Sequence, residues 1–314
     1  MIQETHDDSV GTAVAWLLLG IAGGLSLDLC AKELLQTYPL NQFIFLRSVV
    51  GLVIFMLLAR QFGGWQSLVT HRWRWHLLRT FLATITMFGF FYGLARMPLV
   101  NALTLAFTAP LIVTAISVPF LGEHVGWRRW TAVVVGFGGV LLILRPGAGP
   151  DGTGAGLISV ASIAVLIAAV GYAALATTAR HLGKTETSFS LSIYVIVGPL
   201  LVSGLVSIDG PWRTPDATGW LLFVLAGACS VVAWIGIIGG YRRASPALLS
   251  PFEYTALIGG AAAGYFIWGE VPDRWVMTGA LIIIASGLFV VYREIWQAHG
   301  DTVAVADKFP GLGP

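Results

Sequence analysis

Charge is what this sequence has least of. Of its 314 residues only 11% are Asp, Glu, Lys or Arg, while 56% are hydrophobic. A water-soluble domain is about one-quarter charged, so this chain cannot cover a surface of its size with groups that water would solvate. A bilayer removes that requirement, because it solvates an apolar exterior. The mean hydropathy of +0.81 agrees. The net charge of +2, with basic residues dispersed among loops, excludes a nucleic-acid-binding surface.

Cysteine is nearly absent as well. Cys30 and Cys229 each sit within an apolar stretch, which excludes a disulfide framework or metal site and leaves small packing residues. Enzymatic patterns are missing: there is no His-Glu-x-x-His, no Gly-x-Ser-x-Gly and no cluster of His and Cys within a span. No catalytic activity, metal or cofactor is expected. The glycine-rich run 147–156 lacks the Gly-Lys-Ser/Thr of a phosphate loop and reads as a linker. His71 and His76 fall in a predicted loop and read as solvated. The opening MIQETHDDSV has no Lys or Arg, unlike a signal peptide, so the apolar stretch 11–31 reads as a retained helix.

What is present in quantity is apolar length. A spanning helix takes about 20 mostly apolar residues. Ten runs qualify: 11–33, 40–60, 76–96, 98–121, 128–145, 155–178, 187–208, 218–240, 246–268 and 274–292. No alternation of the membrane β-barrel kind occurs. The face on which the first run begins collects the basic pairs Arg72/Arg74, Arg128/Arg129 and Arg242/Arg243. The other face receives only Lys32, Arg96, Arg145, Arg213 and Arg274, singly. Cations concentrate on the cytoplasmic side, so both termini are expected there, in the inner membrane of a bacterium. Trp65, Trp73, Trp75, Trp127, Trp130, Trp212, Trp220 and Trp275 fall near the predicted interfaces.

The runs repeat. Leu121-Gly122-Glu123 ends the fourth and Trp268-Gly269-Glu270 the ninth, with Trp127 and Trp275 just beyond. Gly139 matches Gly287, and the stretch after Lys32 matches the stretch after Arg180, at an offset of 147–148 throughout. The expected fold is therefore all-α: ten transmembrane helices as two five-helix repeats. Five is odd, so the second repeat enters the membrane inverted, an arrangement typical of secondary transporters. The expected partition is a cytoplasmic segment 1–10, a first repeat 11–146, a periplasmic linker 147–154, a second repeat 155–293 and a mobile cytoplasmic tail 294–314.

Ionisable groups inside a span are costly and are functional candidates by default. Asp28, Arg47, Arg79 and Glu253 are such groups. Their depths pair Asp28 with Arg47 in the periplasmic half and Glu253 with Arg79 in the cytoplasmic half. The plain alternative is structural neutralisation, or snorkelling for Arg79. The sharper reading makes Asp28 or Glu253 a proton or amine site and Arg47 a carboxylate site. Asn101, Thr104 and Thr108 share one helical face, followed by Pro110, which removes a backbone donor. Ser250, Pro251, Glu253 and Tyr254 stand at the matching place in the second half. Tyr92, Tyr172, Tyr194 and Trp234 are the aromatic candidates for a cavity wall. Gly20/Gly24 and Gly260/Gly264 carry the spacing that lets helices approach and slide.

The run Asn101-Ala102-Leu103-Thr104-Leu105-Ala106-Phe107-Thr108-Ala109-Pro110 resembles the EamA-type drug/metabolite transporters. So do Leu121-Gly122-Glu123, Trp127-Arg128-Arg129-Trp130, Ser250-Pro251-Phe252-Glu253-Tyr254-Thr255, Gly269-Glu270 and Phe45-Leu46-Arg47. The likeness spans 13–293 and looks closest to the S-adenosylmethionine and riboflavin carriers. It implies a central cavity between inverted repeats and a substrate among amino acids, nucleotide-like metabolites, vitamins or toxic organics. The expected activity is secondary transport of a small polar or zwitterionic metabolite by alternating access, proton-coupled through Asp28 or Glu253. The expected partners are that substrate and the lipid bilayer, with the chain a monomer or homodimer. Uncoupled exchange, lipid handling and intramembrane enzymology are the alternatives.

Overall fold

Inside hydrocarbon a backbone has no water to bond with, so each apolar run must close its own hydrogen bonds, as an α-helix does. The computed structural model describes residues 4–59, 70, 72–121, 127–144, 159–182, 186–241, 243, 249, 252–289 and 292, and no strand occurs among them. The helices are α1 (Glu4–Thr37), α2 (Leu40–Leu58), α3 (Trp73–Leu94), α4 (Leu99–Ala106), α5 (Ala109–Leu121) and α6 (Trp127–Leu144). In the second half they are α7 (Val160–Leu182), α8 (Ser188–Ile208), α9 (Ala217–Tyr241), α10 (Thr255–Trp268) and α11 (Arg274–Phe289). Seven spans are long and apolar enough to cross a membrane, α4 and α5 sharing one of them; Trp130–Leu144, Thr255–Trp268 and Arg274–Phe289 are shorter apolar helices. The ten expected spans are all present. The linker 147–156, the tail 294–314, Gly122-Glu123, Ser250-Pro251 and His71 lie outside the described residues.

The fourth span is broken rather than continuous. Pro110 has no N–H for the Ala106 carbonyl and its ring crowds that carbonyl. Accordingly α4 stops at Ala106, Phe107 and Thr108 turn, and α5 restarts at Ala109. Phe107 N–H donates to Leu103 O at 2.9 Å and Thr108 N–H to Leu105 O at 3.2 Å, which closes the turn. The ninth span breaks at the matching position: Tyr254 is a turn residue and α10 begins at Thr255.

The two repeats pack through each other, and the seams match residue for residue. α1 lies on α9, and α7 lies on α3. A Cβ added to Gly236 would lie 2.4 Å from Gly20 Cα, and one added to Gly89 would lie 3.2 Å from Ala168 Cβ. The positions 89/236 and 20/168 are repeat equivalents. Likewise Gly240 sits against Leu17 and the Ala13 carbonyl, while Gly93 sits against Val165 and the Ala161 carbonyl. α2 crosses its own counterpart α8, and α4 meets its counterpart α10. This exchange of partners is the signature of a two-fold relating five-helix repeats. Without a hydrophobic drive between helices in lipid, such close small-residue seams supply the packing energy.

The aromatic cluster Phe43, Phe91 and Phe223 closes the bundle near the face where α1 ends, with Phe43 and Phe91 edge-on at 5.0 Å. Outward-pointing side chains such as Phe266 (82% exposed) and Leu57 (76%) suit lipid, not water.

Candidate functional site

Two groups of polar side chains reach the interior. The first joins α1 and α2. Arg47 is 5% exposed; its Nη2 lies 2.8 Å from Met87 Sδ and its guanidinium sits 5.4 Å from the Phe91 ring centroid. Its Nε has no hydrogen-bond partner among the described residues. Asp28 lies within electrostatic reach but does not close to an ion pair. The expected Asp28–Arg47 partnership is therefore electrostatic proximity without a salt bridge among the described residues, with a buried N–H donor left over. A buried unsatisfied guanidinium N–H is costly unless something else takes it up.

The second group lies where the broken spans meet. Phe107, in the turn of the fourth span, stacks on Tyr254, in the turn of the ninth, at 5.3 Å and 30°. These two residues are repeat equivalents. The Tyr254 hydroxyl fills the space that a side chain at Gly287 would need, since an added Cβ there would lie 1.7 Å from it. Glu253 Oε1 accepts a hydrogen bond from Tyr241 Oη at 2.5 Å. Tyr172 of α7 is within electrostatic reach of Glu253 and is 55% exposed.

Other expectations are corrected. Arg79 does not pair with Glu253, and it does not snorkel: it is 2% exposed. Its Nη1 donates to Leu175 O at 2.8 Å and Thr178 Oγ1 at 3.0 Å, and its Nη2 reaches Leu191 O at 3.5 Å. The α3 seam that packs on α7 turns Arg79 toward α7 and α8, away from the ninth span. Thr104 and Thr108 are fully buried and donate to Val100 O and Leu105 O, both at 2.7 Å. Their hydroxyl protons therefore serve their own helix. Asn101 is buried at 9%. Tyr92 lies at the end of α3 under the Arg96 guanidinium, 3.7 Å away, apart from both groups. Trp234 packs in the α2–α8–α9 core with Phe55 and Phe189.

His76 is the largest departure from expectation. Read as solvated, it is 1% exposed, because α3 starts at Trp73 and carries it inside. Its ring stacks on Tyr194 at 4.1 Å, and Nε2 lies 3.4 Å from Glu186 Oε2. Glu186 also accepts from Thr70 Oγ1 at 2.6 Å and Ser190 Oγ at 3.4 Å. Burial alone would push the Glu186 carboxyl up, but the contacts from Thr70, His76 and Ser190 outweigh it and hold the group below the ordinary carboxylate range.

At the opposite face Lys32 and Glu270 form an ion pair. Lys32 Nζ also donates to Met97 O at 3.2 Å, and Glu270 Oε2 accepts the Leu99 N–H at 2.9 Å. Gly269, left-handed at φ 67°, ends α10 and turns Glu270 into this position. The Gly-Glu motif therefore caps α4 from the end of α10.

Repeat equivalence separates scaffold from site. The seam residues recur in both halves. The interior polar groups do not: Asp28 matches Ala176, Arg47 matches Tyr194, Tyr172 matches Gly24, and Glu253 matches Ala106. Packing explains the recurrent set. The unmatched set needs another cause.

The EamA-like transporter family model matches residues 12–145 and 159–292, once per repeat. The chain is 28% identical over 291 residues to the S-adenosylmethionine uptake transporter of Rickettsia bellii, covering 90% of this chain and 94% of that one. It is 29% identical over 265 residues to the riboflavin transporter of Vibrio cholerae, covering 84% and 86%. The pseudopaline exporter CntI of Pseudomonas aeruginosa is 26% identical over 259 residues, covering 81% and 87%. A solved crystal structure at 18% identity superposes with a TM-score of 0.63 over 88% of this chain and 97% of that one, a likeness of fold.

Proposed function

Because the chain belongs to the EamA-like transporter family, and is a multi-pass membrane transporter of small metabolites rather than an enzyme, we propose that its cargo is zwitterionic and binds between Arg47 and Glu253. The observation that carries this reading is the Arg47 guanidinium, buried with a spare Nε donor and within electrostatic reach of Asp28. A bound carboxylate would take up that donor, and the adjacent ammonium would face Asp28. Tyr172, within electrostatic reach of Glu253, and the Phe107–Tyr254 stack would suit a ring or a second cation at the other end of the cargo. S-adenosylmethionine, the cargo named for the Rickettsia relatives, has this division: an amino-acid head, a sulfonium and an adenine.

Transport proceeds by alternating access, the two repeats tilting along the glycine seams around a fixed site. The units that tilt are 11–146 and 155–293. The chain lies in the bacterial inner membrane with both termini cytoplasmic, a reading the basic loop pairs support. Asp28 and Glu253 are the groups that would carry a coupled proton; uncoupled exchange would leave both ionised throughout. Uptake of radiolabelled S-adenosylmethionine, amino acids and riboflavin into proteoliposomes tests the reading. Saturable uptake of an amino-acid-bearing cargo, lost in Arg47→Met, supports it. Uptake that does not discriminate carboxylate-bearing compounds from their esters contradicts it.

A further inference from the structure

The contact between the inter-helix turn and the neighbouring helix occurs twice, once at each membrane face, in two different chemistries. At the end where α1 stops, Tyr38 packs on Phe223 at 5.2 Å. At the other end the equivalents are Glu186 and His76. The equivalence rests on backbone as well as offset: Tyr38 N–H donates to Leu34 O at 2.8 Å, and Glu186 N–H donates to Leu182 O at 2.9 Å. Each residue precedes the N-cap of the next helix, Pro39 for α2 and Thr187 for α8. One junction is an aromatic contact whose Tyr38 hydroxyl also donates to Asp216 Oδ1 at 3.2 Å, with no histidine in it. The other is a titratable pair, 2% and 7% exposed at the side chains.

We propose that His76 and Glu186 form a proton-responsive tie joining the cytoplasmic ends of α3 and α8. This rests on the orientation given above for the termini. Histidine changes charge between pH 5 and 8. Protonated His76 presents an imidazolium to the Glu186 carboxylate across 3.4 Å and the junction tightens. Neutral His76 loses that attraction; neither ring nitrogen has a hydrogen-bond partner among the described residues, so the contact at Nε2 is one of charge and distance. The titratable and charged groups around the pair are Glu186 before α8, Tyr194 on α8, His181 on α7 beside Trp75, and Arg72 and Arg79 on α3. Glu186 is the anion among them. Thr70 and Ser190 hold its carboxylate in place, so the pair can respond without reorienting. Cytoplasmic acidification would then hold α3 against α8 and slow the opening of this face.

Repeat equivalence supplies the test. The double variant H76F/E186Y gives the cytoplasmic junction the pair that already packs at the other face. Amide hydrogen exchange over 73–80 and 188–195 is measured in nanodiscs at pH 6 and pH 8, corrected for intrinsic exchange. The wild type is expected to be several-fold better protected at pH 6, and H76F/E186Y equally protected at both. H76Q and E186Q, which keep side-chain size, are also expected to lose the pH response. The readout needs no substrate, so it stands whether or not the cargo assignment holds. An identical pH response in the wild type and the variants, or no response in the wild type, overturns the tie.

Discussion

Lys32 and Glu270 pair across the repeats, and the same carboxylate caps α4 through the Leu99 N–H at 2.9 Å. One side chain thus serves two partners on two elements. Glu270→Ala removes both and should cost about 1–3 kcal/mol of stability. Glu270→Gln keeps an acceptor for Leu99 and should cost less. The charge swap K32E/E270K restores the ion pair but not the cap, so it should recover stability only in part. Thermal unfolding of the four proteins in detergent checks the order.

The glycine seams admit a mirrored prediction. Gly236→Leu places a branched side chain where Gly20 Cα already lies 2.4 Å from an added Cβ. The equivalent change at Gly89 meets the Ala164 carbonyl at 2.5 Å. Neither backbone can yield, so both variants should fail to fold, giving little monodisperse protein on size-exclusion chromatography. Gly138→Leu, with nothing within 4 Å, is the matching control and should behave as wild type.

Arg79 and Arg47 are both buried arginines, and they should behave differently. The groups that Arg79 contacts include the Leu175 carbonyl, which also accepts from Thr178 Oγ1 at 3.0 Å. Arg79 has no carboxylate partner among the described residues, so removing it strands no buried counter-charge, the case in which loss of a buried charge is costly. Arg79→Met should keep transport within about threefold of wild type, a shift below roughly 0.7 kcal/mol. Initial-rate measurements in proteoliposomes decide this.

Stability should fall in acid partly through Glu186. Its carboxyl titrates below the ordinary range in the folded protein. Its contribution is therefore complete above the unfolded glutamate value of about 4.3 and disappears as pH falls through the lower folded value. Glu186→Gln should flatten the loss of thermal stability below about pH 4.3, where the wild type keeps falling. Parallel curves for the two proteins would contradict this.

The architecture was legible because it repeats. Apolar run lengths and the 147–148 offset predict ten spans in two halves, and the seams at Gly20/Gly236 and Gly89/Ala168 follow from the same offset. Pro110 announces the break in the fourth span, though the turn falls at Phe107 and Thr108, one turn earlier. The interior was harder to read. Depth along a helix is visible in sequence, but the direction a side chain faces depends on which neighbour its helix packs against. That is why Arg79 was matched to Glu253 and instead binds α7 and α8 carbonyls. His76 was misread because its helix begins three residues before it, in a stretch whose arginines and tryptophans look like loop. Phe107 reads in sequence as one more apolar residue; its match to Tyr254 across the offset is the signal that marks it.

The central claim is that Arg47 holds the carboxylate of a zwitterionic cargo. It is tested most directly by the binding of labelled S-adenosylmethionine to purified wild type, Arg47→Met and Arg96→Met, the last altering an exposed arginine at the end of α3. The account predicts saturable binding to the wild type and to Arg96→Met, and affinity at least about tenfold weaker in Arg47→Met, as expected for a charge-assisted contact of about 1.5–3 kcal/mol. Equal affinity in all three folded proteins would contradict it.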